Sequence, residues 1–394
     1  MKITRVETHV LVDPNYRVGA TSSAQDDLVV EIFTDEGVSG IGEVDVNPWM
    51  ARACIEAPGT HTMGQGLTEM LLGSDPLDIE GLHERLYVGS AMNGRRGLVI
   101  HAIGAIDMAL YDLKGKALGV PVYELLGGAR QDTVVPYASL QPEVGDFNRY
   151  KASMREWAVA ALKRGFRAAK VECTLDGPYR HMGLRESMHR ATEVLWEVRD
   201  AVGPDFTLMV DVQYAFSGAD ACLAVIRAWE PLQLFFLETP LPADDLDGYA
   251  RLSESQPIPI AAGEWLATRF EFLDLMDRGR VAVVQPDLGR VGGLTEARRV
   301  AALAGDRGRL VVPHAWKTGI SIAAARHFAA AVPHCPYIEF LPRDLSESPI
   351  RRDLVPDELV LQDGRLPLPK GPGLGASIDR DALARFEEVA RKLY

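Results

Sequence analysis

The chain has 394 residues, 47% hydrophobic and 25% charged, and 42 Lys+Arg against 55 Asp+Glu leave a net charge of −13. These are globular values with ample material for a core, so disorder and collagen-like repeats are excluded. An acidic chain with no Lys/Arg-rich run offers no footprint for a nucleic-acid backbone or an anionic membrane.

The opening residues MKITRVETHVLVDP alternate polar and apolar side chains instead of forming a secretory signal, and no run of about 18 apolar residues spans a membrane. Four cysteines, Cys54, Cys173, Cys222 and Cys335, include no CxxC pair. That is the usage of a reducing compartment, and a cytoplasmic location is expected.

In chain order, strand-like runs cover Ile3 to Leu11, Asp27 to Thr34 and Ser39 to Val44, with hairpin-turn chemistry at Asp35-Glu36-Gly37. A helix follows in 101–120, where Ile103, Ile106, Leu110, Leu113 and Ala117 share one face. Residues 1–128 thus read as a compact α+β unit. From 129 to 353, eight short runs alternate with amphipathic helices: Thr133 to Tyr137, Ala168 to Glu172, Thr207 to Asp211, Leu234 to Glu238, Ile258 to Ala262, Val281 to Gln285, Leu310 to Pro313 and Tyr337 to Phe340. Strand and helix in alternation means parallel pairing, and eight such units close into an α/β barrel of the TIM type. The Pro/Gly-rich tail, 354–394, turns at Gln362-Asp363-Gly364 and reads as a hairpin that leaves the barrel for the first unit.

Barrel chemistry sits at the C-terminal ends of strands. Those ends carry Lys170 and Glu172, then Asp211, Glu238, Glu264, Asp287, His314 and Glu339, and from Asp211 onward the steps are 27, 26, 23, 27 and 25 residues. Asp211, Glu238 and Glu264 converge on adjacent strands. Three buried carboxylates repel one another unless a cation lies between them, and an all-oxygen donor set suits Mg²⁺. Asp287 beside His314 fixes one imidazole nitrogen and makes the other a general base. Lys170 faces an anionic substrate or balances the carboxylates, and Glu339, if protonated, donates to a substrate oxygen.

The segments HAIGAIDMALYDLKGKALGVPVYELLGG (101–128), VDVQYAF (210–216), LETP (237–240), AAGEW (261–265), QPDLGRVGG (285–293) and VVPHAWKTGI (311–320) resemble the enolase superfamily, mandelate racemase subgroup. The resemblance runs over nearly the whole chain. It implies an N-terminal α+β capping domain over a (β/α)₇β barrel, with the tail returning to the cap. It also implies Mg²⁺ on Asp211, Glu238 and Glu264, a His314–Asp287 base, and Glu339 against the substrate carboxylate. Self-association, from dimer to octamer, is implied as well.

One departure bears on the reaction. The racemase pattern Lys-x-Lys on strand two reads Lys170-Val171-Glu172 here, so Glu172 is a weaker base, a hydroxyl-binding group or a partner of Lys170. A two-base racemisation is therefore disfavoured. The expected reaction is removal of the α-proton of a sugar acid by His314 followed by loss of the β-hydroxyl, giving a 2-keto-3-deoxy acid. Epimerisation, racemisation or cycloisomerisation of a sugar acid or its lactone is the alternative. Gln213 and Tyr214, where relatives often have Asn, touch substrate or pack at the rim. Specificity is expected in the cap loops Asp13 to Asp26 and Val46 to about Thr62, with Tyr16, Arg17, Asn47 and Trp49 as candidates.

Overall fold

The computed structural model describes residues 1–394 apart from 21, 144, 342, 347, 357 and 358 and the side chain of Asp344, so position 21 of the first cap loop lies outside the described residues. Three antiparallel strands, Ile3–Val12, Asp26–Thr34 and Ser39–Val44, open the chain in that spatial order. Helix Leu98–Leu118 lies across this sheet, and its apolar residues Ile103, Ile106, Leu110 and Leu113 are buried as their spacing predicts. The approach is very close. A Cβ on Gly42 would come within 2.1 Å of the Ala105 carbonyl, so only glycine fits there.

The second sheet has eight parallel strands in the spatial order seven-six-five-four-three-two-one-eight: Leu310–Val311, Val283–Val284, Ile260–Ala262, Leu237–Glu238, Thr207–Asp211, Ala168–Glu172, Pro136–Leu140 and Ile338–Phe340. Helices Phe147–Lys163, Ala191–Val202, Ala219–Ile226, Leu246–Ser255, Thr268–Asp277, Gly293–Asp306 and Gly319–Ala331 fill the seven crossings, which makes a (β/α)₇β barrel. Seven predicted runs form barrel strands at their places, while the first is displaced: Pro136–Leu140 is the barrel strand, and Thr133–Val134 belongs to a separate two-stranded sheet. Strands four to eight are trimmed to two or three paired residues. Their outer residues belong to loops that carry the polar side chains.

Side chains along a strand alternate between the barrel interior and the helices. Tyr137, Ala168, Met209, Phe236, Ala261, Val283 and Val312 form one buried apolar layer inside the barrel. Two residues further along each strand stand Ser139, Lys170, Asp211, Glu238, Gly263, Gln285 and His314, and Glu339 stands two beyond Tyr337. The polar ring is thus the next inward layer above an apolar floor.

The tail forms the predicted turn, pairing Gln362 with Arg365, and Leu366–Pro367 then pairs antiparallel with Thr133–Val134. A hairpin alone is too little, however. Helix Arg380–Leu393 follows, buries Ala382, Leu383, Phe386 and Ala390, and packs on Ile3–Val12. Arg380 grips the buried Glu31 carboxylate with both terminal nitrogens, at 2.5 and 2.7 Å, and His9 bonds Glu387 at 2.8 Å. Burial alone would raise Glu31, but Arg380 and His9 overcome it and hold the carboxyl at about 2. A folded-state pKa below the ordinary 4.5 gives stability that is present above pH 4.5 and lost as the pH falls towards 2. Arg380→Ala should therefore cost about 1–2 kcal/mol near neutral pH, a low value for an unpaired buried charge because Arg380 is half in water. The cost should shrink below pH 4.5, as read by denaturant unfolding and by hydrogen exchange of the helix amides. An unchanged cost at pH 3 would show that charge is not what docks the helix.

Candidate active site

The polar ring is tightly interconnected. Lys170 Nζ lies 2.9 Å from Glu238 Oε1, 3.0 Å from Glu339 Oε1 and 3.8 Å from Asp211 Oδ2, and all four side chains are buried. Gln285 Nε2 donates to Glu238 Oε2 at 2.7 Å, and the Thr239 hydroxyl and Gln213 N–H both donate to Asp211 Oδ1 at 2.9 Å. Gly263 has φ +126°, and a Cβ there would strike the Phe272 ring at 2.6 Å; this glycine turns the chain so that Glu264 joins the ring.

Asp287 and His314 extend strands six and seven as an isolated parallel bridge, with His314 Nδ1 and Asp287 Oδ2 2.6 Å apart. The other carboxylate oxygen accepts from Gly289 N–H at 2.8 Å. His314 Nε2 is thereby left towards the cleft, 3.2 Å from Glu264 Oε2 and 3.8 Å from Glu339 Oε2. Burial works against a charged imidazole, but Glu339, Asp287 and Glu264 outweigh it and lift His314 to about 9.

The carboxylates do not behave alike. Burial, opposed by Lys170 and reinforced by Asp211, pushes Glu238 up to about 8, and burial also raises Glu264 against the pull of His314. Glu339 moves the other way. Its burial is overcome by Lys170 and His314, which hold it at about 2, and its oxygens accept from the Ser139 hydroxyl at 2.7 Å and Ala315 N–H at 3.0 Å. Lys170, the Ser139 hydroxyl and Ala315 N–H all face its oxygens, so in this arrangement Glu339 is placed to accept hydrogen bonds, and the protonated form in which it would donate is not favoured. Glu172 is half-buried beside Asp211, its Oε1 accepts from the Thr174 hydroxyl at 2.9 Å, and desolvation raises it to about 7.

These groups line a cleft of about 260 Å³ that contains Lys170, Glu172, Asp211, Gln213, Tyr214, Glu264 and His314. One wall is aromatic. Tyr214 stacks on Trp265 at 4.1 Å between ring centroids, and Tyr179 stands edge-on to Trp265 at 5.2 Å. Gln213, Tyr214 and Thr239 have φ of 43°, 59° and 41°, a left-handed backbone that costs energy outside glycine. Tyr214 N–H to the Thr239 carbonyl, 2.6 Å, holds that geometry and sets the ring in the wall.

The cap candidates separate. Arg17 lines a polar recess that shares Ser22 and Glu172 with the cleft. Tyr16 is exposed and lines neither, Asn47 caps helix Pro48–Glu56 through Met50 N–H, and Trp49 packs near Tyr394. None of Tyr16, Asn47 and Trp49 lines the cleft in this arrangement.

The mandelate racemase/muconate lactonizing enzyme N-terminal domain matches residues 1–127, and the enolase C-terminal domain-like family matches 153–382. The chain belongs to the mandelate racemase subgroup of the enolase superfamily. Among its relatives, the D-galactarolactone cycloisomerase of Agrobacterium fabrum is 33% identical, over 98% of this chain and 99% of the relative. The L-rhamnonate dehydratase of Saccharopolyspora erythraea is also 33% identical, over 91% and 84%. A racemase structure from Streptomyces coelicolor A3(2) with bound magnesium superposes with a TM-score of 0.82, 27% identical over 98% of this chain and 99% of that one.

The donor set of this subgroup member fits a hard divalent cation. Asp211, Glu238 and Glu264 come from three consecutive strands, supply only oxygen, and are buried to a degree that drives Glu238 and Glu264 towards protonation when no cation offsets them, although among the described residues this trio is not one of the groups whose ligand atoms lie within 4.8 Å of one another. Several supporting residues escaped a reading that looked only for ionisable strand ends: Ser139, Gln285 and Thr239 hold the carboxylates, and Trp265, Tyr179 and Trp316 line the cleft. Ser139 and Gln285 stand at the inward position two residues past the apolar layer, and that spacing is the signal by which they could be found.

Proposed function

We propose that the protein removes the α-proton of a sugar acid with His314 and eliminates the β-hydroxyl, giving a 2-keto-3-deoxy acid. The observation that carries this reading is the asymmetry of the two flanks. On one, His314 is oriented by Asp287 with Nε2 towards the cleft; on the other, Lys170 is neutralised by Glu238 and Glu339, and the position of a second lysine base holds Glu172. The relatives that act on L-rhamnonate, D-xylonate and arabinonate as dehydratases support it.

Mg²⁺ on Asp211, Glu238 and Glu264 would polarise the substrate carboxylate and lower the cost of charge on the enediolate. The side chains do the rest. His314 Nε2 takes the C2 proton as the C2–H electron pair moves into the enediolate. The C3–O bond then breaks, and His314 returns its proton to the departing hydroxide on the same face, so elimination is syn and water leaves. Tautomerisation of the enol gives the keto acid. Lys170 holds the developing charge, Glu339 fixes Lys170, and the aromatic wall limits water.

A second reading has its own support. The exposed faces of Tyr179 and Trp265 offer an apolar platform to a sugar ring, and one relative is a D-galactarolactone cycloisomerase. In that reaction the β-leaving group is a ring oxygen, and no water is released. Incubation with pooled sugar acids and their lactones, with Mg²⁺ in D₂O, separates the two by proton NMR. A 2-keto-3-deoxy acid is the expected product; a ring-opened product without loss of water establishes the second reading, and neither product nor α-deuteration from any member overturns both.

A further inference from the structure

The catalytic pair is held from outside the barrel. Asp45, one residue past cap strand Ser39–Val44, is buried, and its two oxygens are divided between two barrel cations. Arg290 Nη2 meets Asp45 Oδ2 at 2.5 Å while its Nε bonds the Asp45 carbonyl at 2.7 Å, and Lys317 Nζ lies 3.1 Å from Oδ1. Arg290 is three residues after Asp287, and Lys317 is three after His314. Asp45 therefore clamps the loops of both members of the pair at equivalent points, and its carboxylate comes within 4.8 Å of ligand atoms of Asp287 and His314.

Both loops are stiff enough to transmit that grip. Arg290 N–H bonds the Asp287 carbonyl at 3.0 Å, so the guanidinium and the carboxylate that orients His314 lie on one turn. The loop after His314 is anchored again by Glu43 of the same cap strand, which accepts from Thr318 N–H at 3.0 Å and Ser321 N–H at 2.7 Å. Lys317 also bonds the Ser23 and Asp26 carbonyls at 2.5 and 2.7 Å. Those residues end the cap loop that carries Arg17 and Ser22 into the recess and the cleft.

We propose that Asp45 is a positioning residue for the base, holding Asp287 and His314 in register through Arg290 and Lys317. The inference rests on His314 being the base. Asp45 does not itself line the cleft; it touches two residues that do, Arg290 and Ser23, and its oxygens are taken up by Arg290, Lys317 and the Ser23 hydroxyl. An alignment of this kind secures the geometry that proton transfer demands, where a displacement of about 1 Å can cost 10²-fold in rate.

The test is Asp45→Asn, nearly isosteric but without the charge that faces two cations. The downfield imidazole proton of the 2.6 Å His314–Asp287 bond, read by NMR without substrate, should shift or broaden. Turnover of the accepted acid should fall by roughly 10- to 100-fold with KM altered far less, and the isotope effect from α-deuterated substrate should rise as proton abstraction becomes limiting. Loss of stability alone lowers the active fraction but does not move the resonance or the isotope effect. An Asp45→Asn protein with both unchanged overturns the proposal. If that variant does not fold, Lys317→Gln removes one of the two anchors, and the same pair of readings decides. The resonance needs no substrate, so it answers for Asp45 even when no sugar acid is turned over, which would count against the proposed reaction instead.

Discussion

His314→Asn should reduce turnover of the accepted sugar acid by about 10³-fold or more, in the range that a positioned acid–base group supplies, since here one imidazole both takes and returns the proton. Exchange of the α-proton with D₂O should fall in parallel. Asparagine still reaches Asp287 but has no nitrogen that accepts a proton, so the surroundings are kept while the chemistry is lost. Magnesium binding, followed by calorimetry, should persist, because His314 is not among the three proposed ligands. Unchanged exchange would remove His314 as the base and transfer attention to Glu172, the half-buried carboxyl of the same cleft that desolvation raises to about 7. Persistent exchange with lost dehydration would be more specific: it would separate proton removal from acid assistance to the leaving group and assign the latter alone to His314.

The sequence exposed this site because a barrel strand is short and strictly alternating. Once Met209 faces the interior, Asp211 must face it too, and the same step connects Phe236 to Glu238 and Val312 to His314. Charge then marks the layer at Asp211, Glu238 and His314, whereas Glu264 lies one residue beyond the inward Gly263 and Asp287 two beyond the inward Gln285. Ser139 and Gln285 obey the same step but carry no charge, so a search for ionisable ends passes over them.

What the sequence withheld depends on contacts between distant segments. Nothing local indicates that Asp45 meets Arg290 and Lys317, each more than 240 residues away, or that Asn47 caps a helix instead of facing a ligand. The charge of Glu339 depends on distant contacts as well. A carboxyl on an apolar strand favours the neutral form, and only the arrival of Lys170 from strand two and His314 from strand seven reverses it. The tail helix was missed although its buried positions Ala382, Leu383, Phe386 and Ala390 follow helical spacing; the Pro/Gly-rich residues before it dominate the pattern.

Lys170→Met should give the largest loss of stability. Its ammonium is buried against Glu238, Glu339 and Asp211, and methionine fills the same volume without the charge. Removing one partner of a buried ion pair typically costs about 3–5 kcal/mol, because the remaining charge stays out of water. Three carboxylates share this cation, and Gln285, Ser139 and Ala315 satisfy their oxygens without neutralising them. The loss should therefore lie at the upper end of that range when unfolding is measured with a chelator present. Magnesium should then restore part of it, since an ion that binds only the folded state stabilises in proportion to the logarithm of its concentration over Kd. The recovery should be larger in the variant than in the parent, where Lys170 already offsets the same carboxylates. Equal stability of variant and parent without metal would mean that the cluster is neutral in the folded protein. Equal stabilisation by magnesium in both would mean that Lys170 and the ion do not share ligands, and Glu238 could not then serve as the group common to them.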